Sequence, residues 1–545
     1  MATASPSSPH EYPTRSSSFS DAIHPVDDVE TQYDHDEETA GRGIGALYNI
    51  RSRTRSEADY TVINWDVKDP ENPYNWTNSK KVLVVLIIVL LVTNSTMGSA
   101  LPSMAMPNIA AEFHVTSRLQ LPLPISLYLV GFVVGALIWG PLSEHFGRRN
   151  LTLATLGFLA IFTMACALAP SWPVFLVFRL ICGIFAASPI AVVAGIMADI
   201  YGEPRTRGRA FAIFMATTVF GPLFAPIISG FVAPAIGWRW SFWIGLIWAG
   251  VTFVFTLFLP ETFGPILLAR RAAKRRKSDP ASRIVAPRDL EKTDMSQLLT
   301  VVLLRPVQMM VSELIVITSC AYLAYAYAIF YMYFQVFPIV FRDLYGLSPG
   351  VTGLVYLPIG GGALLALPVF WYWDHVLYTA QARGAAWTKR EEYRRLPLAI
   401  LGGPMFVISL FWLGYTARTS ISFVVPLLAG IPFGMGYLLI FMAILNYLTD
   451  AYEIYAASAN SASSFTRSLF AVVLPLATRP MFENLGISGA CSLLGGLSAV
   501  LCIIPFVFIW KGPSIRARSR FCIALKEQKE MALREELQRA EKQLK

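Results

Sequence analysis

Twelve stretches of this chain are each long and apolar enough to cross a bilayer as a helix. Spanning the roughly 30 Å of hydrocarbon takes about 20 residues. The runs fall near 81–101, 121–142, 150–170, 173–198, 210–232 and 240–260, then near 311–337, 351–373, 397–416, 421–447, 458–478 and 488–510. A lipid-embedded backbone must satisfy its N–H and C=O groups internally, so runs of this length read as helices. Composition agrees. Of 545 residues, 54% are hydrophobic and 15% charged, more apolar surface than a soluble globule of this size can hide.

The expected fold class is an all-α membrane protein with twelve transmembrane helices in two six-helix halves. The chain divides into a disordered polar tail at 1–75, a first half at 76–260, a basic central loop at 261–310, a second half at 311–510 and a C-terminal tail at 511–545. The first tail is Ser-rich and acidic around Asp34, Asp36, Glu37 and Glu38, and cannot bury enough apolar surface to fold alone. The second tail ends in a stretch from Lys526 that reads as a short charged helix. The halves also echo each other locally. Asp199-Ile-Tyr closes span four and Asp450-Ala-Tyr closes span ten, each ahead of a loop and a proline-containing helix. Weak internal symmetry of this kind marks many secondary transporters.

The net charge of +9 sits in loops between apolar runs, so membrane topology explains it better than nucleic-acid binding. With the N-terminus in the cytosol, twenty Lys and Arg fall in inner loops and five in outer loops, although the inner loop after span ten has none. Both termini are therefore expected in the cytosol. The six cysteines show no CxxC or Cys/His ligand spacing, and the chain has neither a GxxxxGK[ST] loop nor an HExxH motif. No disulfide framework, metal, nucleotide motor or other cofactor is expected, and no nucleophile or paired-carboxylate set suggests an enzyme.

Between spans two and three stands Gly140-Pro-Leu-Ser-Glu-His-Phe-Gly-Arg-Arg149. A helix ends in a carboxylate, Gly147 lets the chain reverse, and two arginines follow. Glu144 is within reach of Arg148, and Arg148 of Asp199; anchoring at the headgroups would explain any one of these charges. In span four, Arg179 lies about 10 Å into the bilayer. A central arginine is costly there, so it either snorkels to the outer surface or faces a polar interior. Asn94 in span one comes to a similar depth, so the two are candidates to meet across a cavity. Span five holds Gly221, Pro222 and Pro226, residue types that bend helices and let backbones approach. In span seven, Tyr327, Tyr331 and Phe334 share one helical stripe beside Gln335, either a substrate face or ordinary packing. Arg467, about 14 Å deep in span eleven, is a candidate to bind an anionic substrate group or a neighbouring carboxylate, and Asn446 in span ten is a further polar candidate for the substrate site. No Asp or Glu lies at mid-membrane, which leaves Asp199 as the first candidate for a titrating group.

The Gly140–Arg149 segment resembles the first-half motif of the major facilitator superfamily, with Glu144 in place of Asp. The resemblance implies that Glu144, Arg148, Arg149 and Asp199 form a cytosolic charge latch. Arg179 and Gly183 match the span-four Arg-x-x-x-Gly core associated with proton transfer. Thr217 through Pro226 resembles the antiporter motif Gly-x-x-x-Gly-Pro-x-x-Gly-Gly, with Thr217, Ala225 and Pro226 departing from it. Residues 70–515 are most similar to the fungal twelve-span drug:proton antiporters through Asp69-Pro-Glu-Asn-Pro73, Trp238–Trp243, Leu259-Pro-Glu-Thr262 and Leu448–Arg467. That resemblance implies a monomeric plasma-membrane exporter of drugs, toxins or secondary metabolites, with a small organic substrate, protons and the bilayer as partners. The alternatives are a proton-coupled importer of a nutrient or polyamine, and a non-transporting membrane sensor.

Overall fold

The computed structural model describes residues 61–66, 68–117, 119–278, 284–290 and 304–544. Among them are twelve membrane-spanning helices. The first half comprises α1 (Asn78–Ala100), α2 (Leu123–Phe146), α3 (Arg148–Ala167), α4 (Trp172–Ile200), α5 (Pro204–Ile236) and α6 (Arg239–Leu257). The second comprises α7 (Leu314–Phe337), α8 (Leu357–Ala382), α9 (Pro397–Thr416), α10 (Gly430–Tyr452), α11 (Ala456–Leu476) and α12. The helix Thr478–Leu501 breaks at Gly486, where φ is 68°. Its first residues, 478–485, prolong α11, and 487–501 run on through Ile503–Arg516 as α12.

Eleven long helical stretches qualify as spans on length and apolar composition alone. The exception is α11, which carries five serines with Asn460, Thr466 and Arg467. A helix this polar is stable in a bilayer only where it faces protein or a cavity.

Small residues let the helices of each half cross closely, and they do so in matching places. A β-carbon at Gly131 on α2 would strike the Leu180 carbonyl of α4, and one at Gly183 would strike the Tyr128 carbonyl in return. In the second half, Gly362 on α8 abuts the Ile431 carbonyl of α10, and Gly434 abuts the Ile359 carbonyl. Backbone-to-backbone crossing through glycine is how membrane helices gain packing without a hydrophobic drive. The echo between the halves is thus structural as well as sequential.

The end of the bundle where α2 turns into α3 is here termed the basic end. Gly147 makes that turn at φ 94°, and a side chain there would also strike the Glu261 carboxylate. Helices run past the expected edges at this end. α5 starts at Pro204, so Arg205, Arg207 and Arg209 lie on its first turns, and α8 continues beyond residue 373 to Ala382.

Residues 61–66 and 68–75, expected to be disordered, are built into the fold. Thr61–Val62 pairs in parallel with Ile284–Val285, and Ile63 joins Leu268, Ala272 and Ala286 in a small separate core. Buried Asp69 pairs with Arg271, whose hydrogen bond holds the Asp69 carboxyl below the usual carboxylate range. The rest of the expected tail, 1–60, lies outside the described residues. The central loop is also built in part, from the helices Gly264–Ser278 and Arg305–Ser312. The C-terminal stretch forms the helix Arg520–Leu544, which docks at its start: the Phe521 N–H donates to Glu313, and Lys529 pairs with Glu453 at 2.7 Å.

Candidate functional site

Three groups of polar residues stand out: a charge cluster at the basic end, an arginine knot in α4, and an arginine–aromatic cage between the halves.

The charge cluster joins three helices. Arg148 Nε lies 3.3 Å from Asp199 Oδ2 at the end of α4, and a second guanidinium nitrogen donates to the Ser143 hydroxyl. Thr262 Oγ1 donates to the same Asp199 oxygen at 3.2 Å. Glu261 accepts the backbone N–H groups of Arg148 at 3.0 Å and Arg149 at 3.4 Å, capping the N-terminus of α3, where the helix dipole favours an anion. The Arg149 side chain donates to the Leu257 carbonyl at 2.9 Å, tying α3 to α6. Glu144 takes no part. It is exposed and makes no ion pair or hydrogen bond among the described residues. Successive helical residues point about 100° apart, so Ser143 facing Arg148 turns Glu144 to solvent. The acids of this cluster are Asp199 and Glu261.

The second half repeats this arrangement. Arg395 lies 2.7 Å from Asp450, and Arg516 at the end of α12 meets Glu391 and buried Glu392, the latter at 2.5 Å. Asp450 therefore sits in α10 as Asp199 sits in α4, facing an arginine from the α8–α9 connection as Asp199 faces one from the α2–α3 turn. The repeated Arg-Arg at 148–149 and 394–395 was the available sequence signal.

The halves are joined at both ends. At the basic end, Asp374 on α8 receives Arg205 at 3.2 Å and Arg209 at 3.0 Å from α5. At the far end, α5 and the helix Pro349–Leu354 ahead of α8 meet backbone to backbone: a β-carbon on Gly353 would lie 2.6 Å from the Pro226 carbonyl. Gly221 lies against the Thr96 side chain of α1, and α5 runs as one helix through Pro222 and Pro226. Gly221 and Pro226 thus lie at contacts between helices.

Arg179 is 1% exposed and neither snorkels nor bonds to Asn94. Its guanidinium donates to the carbonyls of Pro124 at 2.9 Å, Gly98 at 2.8 Å and Ser99 at 2.8 Å, and stacks over Tyr128. Gly98 and Ser99 belong to the last turn of α1, whose carbonyls have no helical partner. The arginine caps that helix from inside the bundle and ties it to α2. Asn94 is 5% exposed, and its Nδ2 has no partner.

The cage lies where the halves meet. Tyr331 of α7 and Ser99 of α1 are joined hydroxyl to hydroxyl at 3.1 Å, and Tyr327 lies one turn away with its ring 5.0 Å from that of Tyr331. Arg467 of α11 sits over the rings of Tyr327, at 5.5 Å, and Phe441 of α10, at 5.3 Å. Its one hydrogen bond goes to Ser464 on its own helix, and its buried Nε has no partner. No carboxylate pairs with it among the described residues. Counting from Ala456, it lies about 16 Å into α11. Phe441 escaped the sequence reading because an apolar helix gives no sign of which ring faces inward. Phe334 continues the stripe but packs on Tyr356. Gln335 donates to the Pro475 carbonyl at 2.8 Å, a link between α7 and α11. Asn446 bonds the Met442 carbonyl of its own helix and lines a small pocket with Asp374 and Arg395, so it stands with the basic-end charges.

The cluster gives a direct expectation. Glu144→Ala should leave transport and stability near wild type, whereas Glu261→Ala removes the acceptor of several N–H groups and should lower stability by about 1–3 kcal/mol. Thermal unfolding of the solubilised variants checks this. A Glu144→Ala loss as large as that of Glu261→Ala would restore Glu144 to the latch.

Residues 87–475 match the profile of the Major Facilitator Superfamily. The "MFS-type efflux pump MFS2" of Trichophyton rubrum is 37% identical over 86% of this chain and 78% of its own length. The "Citrinin biosynthesis cluster MFS transporter mrr1" of Monascus ruber is 36% identical over 87% and 96%. "Polyamine transporter 3" of Saccharomyces cerevisiae is 33% identical over 84% and 73%. Among solved structures, the proton:xylose symporter XylE shares the fold at a TM-score of 0.57 and 17% identity, over 80% of this chain and 96% of that one.

Proposed function

The chain belongs to the major facilitator superfamily of membrane transporters, and from that premise we propose that it exports small organic molecules in exchange for protons by alternating access. The working unit is one chain, placed in the plasma membrane with both termini in the cytosol. The similarity to efflux pumps supports the direction, and the loop charge supports the orientation.

The observation that carries the substrate reading is the cage. Its charged group, Arg467, is a cation with an unpartnered Nε, set against aromatic rings between the halves. A buried donor without a partner is completed by what binds there. The site suits a neutral or anionic molecule with a flat or apolar body and an oxygen acceptor, a description that drugs and secondary metabolites fit. It disfavours a polyamine, since a desolvated ammonium near the guanidinium is repelled and, among the described residues, no carboxylate that could hold it pairs with Arg467. The similarity to a polyamine transporter makes that distinction worth testing.

Coupling is assigned to Asp199. Protonating it dissolves the ion pair with Arg148 and frees α4 from the α2–α3 turn. The Arg205 and Arg209 bridges to Asp374 then hold or release the basic end as the halves rock.

Competition checks the substrate class. In cells expressing the chain, efflux of a neutral or anionic aromatic reporter should be inhibited by molecules of that class and unaffected by spermidine at matched concentration. Efflux of labelled spermidine that is lost on Arg467→Ala would overturn the charge assignment.

A further inference from the structure

Away from the cage, the basic end carries a cavity of about 870 Å³ between the segment 68–76, the start of α1 and the helix Gly264–Ser278. Its lining includes Trp76 and five cations: Lys80, Arg270, Arg271, Lys274 and Arg275. Lys80 stacks on Trp76 at 3.6 Å. Arg271 is committed to Asp69 and lies 3.7 Å from Glu71. Arg270, Lys274 and Arg275 are exposed and form no ion pair among the described residues. Two acids also line the cavity. Glu71 is exposed, and the Glu261 carboxylate is taken up by backbone N–H groups. The cavity's charge is strongly positive.

The surroundings identify what fits. Immediately above Lys80 on α1, Val82, Leu83 and Leu86 are 53%, 43% and 56% exposed. Just ahead of Pro260, at the end of α6, Leu257 and Phe258 are 46% and 69% exposed. A cationic cavity at headgroup level thus continues into an apolar wall that faces lipid. A soluble phosphate would use the first feature and leave the second idle. An amphiphile with a phosphate head and acyl chains uses both.

We propose that this cavity is a binding site for the headgroup of an anionic phospholipid, its chains lying along α1 and α6. The lipid would bridge the segment 68–76 and the helix Gly264–Ser278 to the first half of the bundle, alongside the Glu261 cap of α3. Nearby cations contribute roughly additively to such binding, so removing three should weaken it at least about tenfold.

Native mass spectrometry of the full chain, released from micelles holding equal phosphatidylserine and phosphatidylcholine, tests the proposal. Preferential retention of phosphatidylserine is expected. The triple variant R270Q/K274Q/R275Q should need at least about tenfold more of that lipid for the same occupancy. A triple variant with the same loss of charge elsewhere, R383Q/K526Q/R534Q, should retain it as wild type does. E71Q should tighten retention two- to threefold or so, a gain that no folding defect produces. Equal retention of phosphatidylcholine, or equal loss in both triple variants, would overturn the site. Displacement of phosphatidylserine by inorganic phosphate at the same concentration would show a free-phosphate site and sink the lipid assignment.

Discussion

Arg179→Ala is expected to cost the fold itself. The guanidinium satisfies the Gly98 and Ser99 carbonyls at the open end of α1 and adds a bond to the Pro124 carbonyl in the first turn of α2, inside a packed region. Each buried acceptor left unpaired costs about 1–3 kcal/mol, so with the Gly98 and Ser99 carbonyls orphaned the loss should reach at least about 2 kcal/mol. Arg179→Lys should recover only part of it, because a compact ammonium on a flexible stem cannot span three carbonyls held in the plane of a fork. The readouts are the yield of monodisperse protein after solubilisation and the midpoint of thermal unfolding. An alanine variant with wild-type stability that fails only in uphill transport would return the residue to a coupling role.

Arg467→Ala should do the opposite. Apart from Ser464, one turn away on its own helix, no group loses a hydrogen bond when this side chain goes. A cation held in the membrane without a counter-charge is a burden on stability. The variant should therefore unfold within about 1 kcal/mol of wild type, or later than it, while transport falls roughly tenfold to a hundredfold, the worth of one charge-assisted hydrogen bond. Arg467→Lys should stay impaired, since an ammonium does not stack flat between Tyr327 and Phe441. The check is efflux at matched surface expression, paired with thermal unfolding. Normal efflux with reduced stability would make Arg467 a packing residue.

These two arginines show what a sequence exposes and what it hides. Their depth was readable, because it follows from counting 1.5 Å steps along apolar runs. Their partners were not. Arg179 bonds to carbonyls, which every residue carries, so nothing at positions 98, 99 or 124 marks them as acceptors. The cage depends on Ser99 and Tyr331, 232 residues apart, brought together only by the packing of one half against the other.

Helix ends were also misread, and for one reason. Apolar composition reports where a helix leaves lipid, whereas backbone hydrogen bonding continues into water. Arg205 and Arg209 on α5 and Asp374 on α8 lie on such overhangs, and they form the bridge between the halves. Ser143 and Glu144 are adjacent, and on a helix that is enough to put Ser143 against Arg148 and Glu144 in the solvent. The twelve spans and the two halves were legible because lipid imposes length and composition together. The second-half charge cluster was legible in part, through the repeated Arg-Arg at 148–149 and 394–395.

Uphill transport in vesicles tests proton-coupled export most directly. The full chain is reconstituted so that its basic end faces outward, the vesicle interior is made acidic and positive, and uptake of a neutral aromatic reporter is followed. About 100 mV with one pH unit, for a one-for-one exchange, supports an internal excess of roughly several hundredfold. Accumulation well above the outside concentration is expected, falling to equality when a protonophore is added. Accumulation that survives the protonophore, or mere equilibration with the gradient in place, would contradict proton-coupled export.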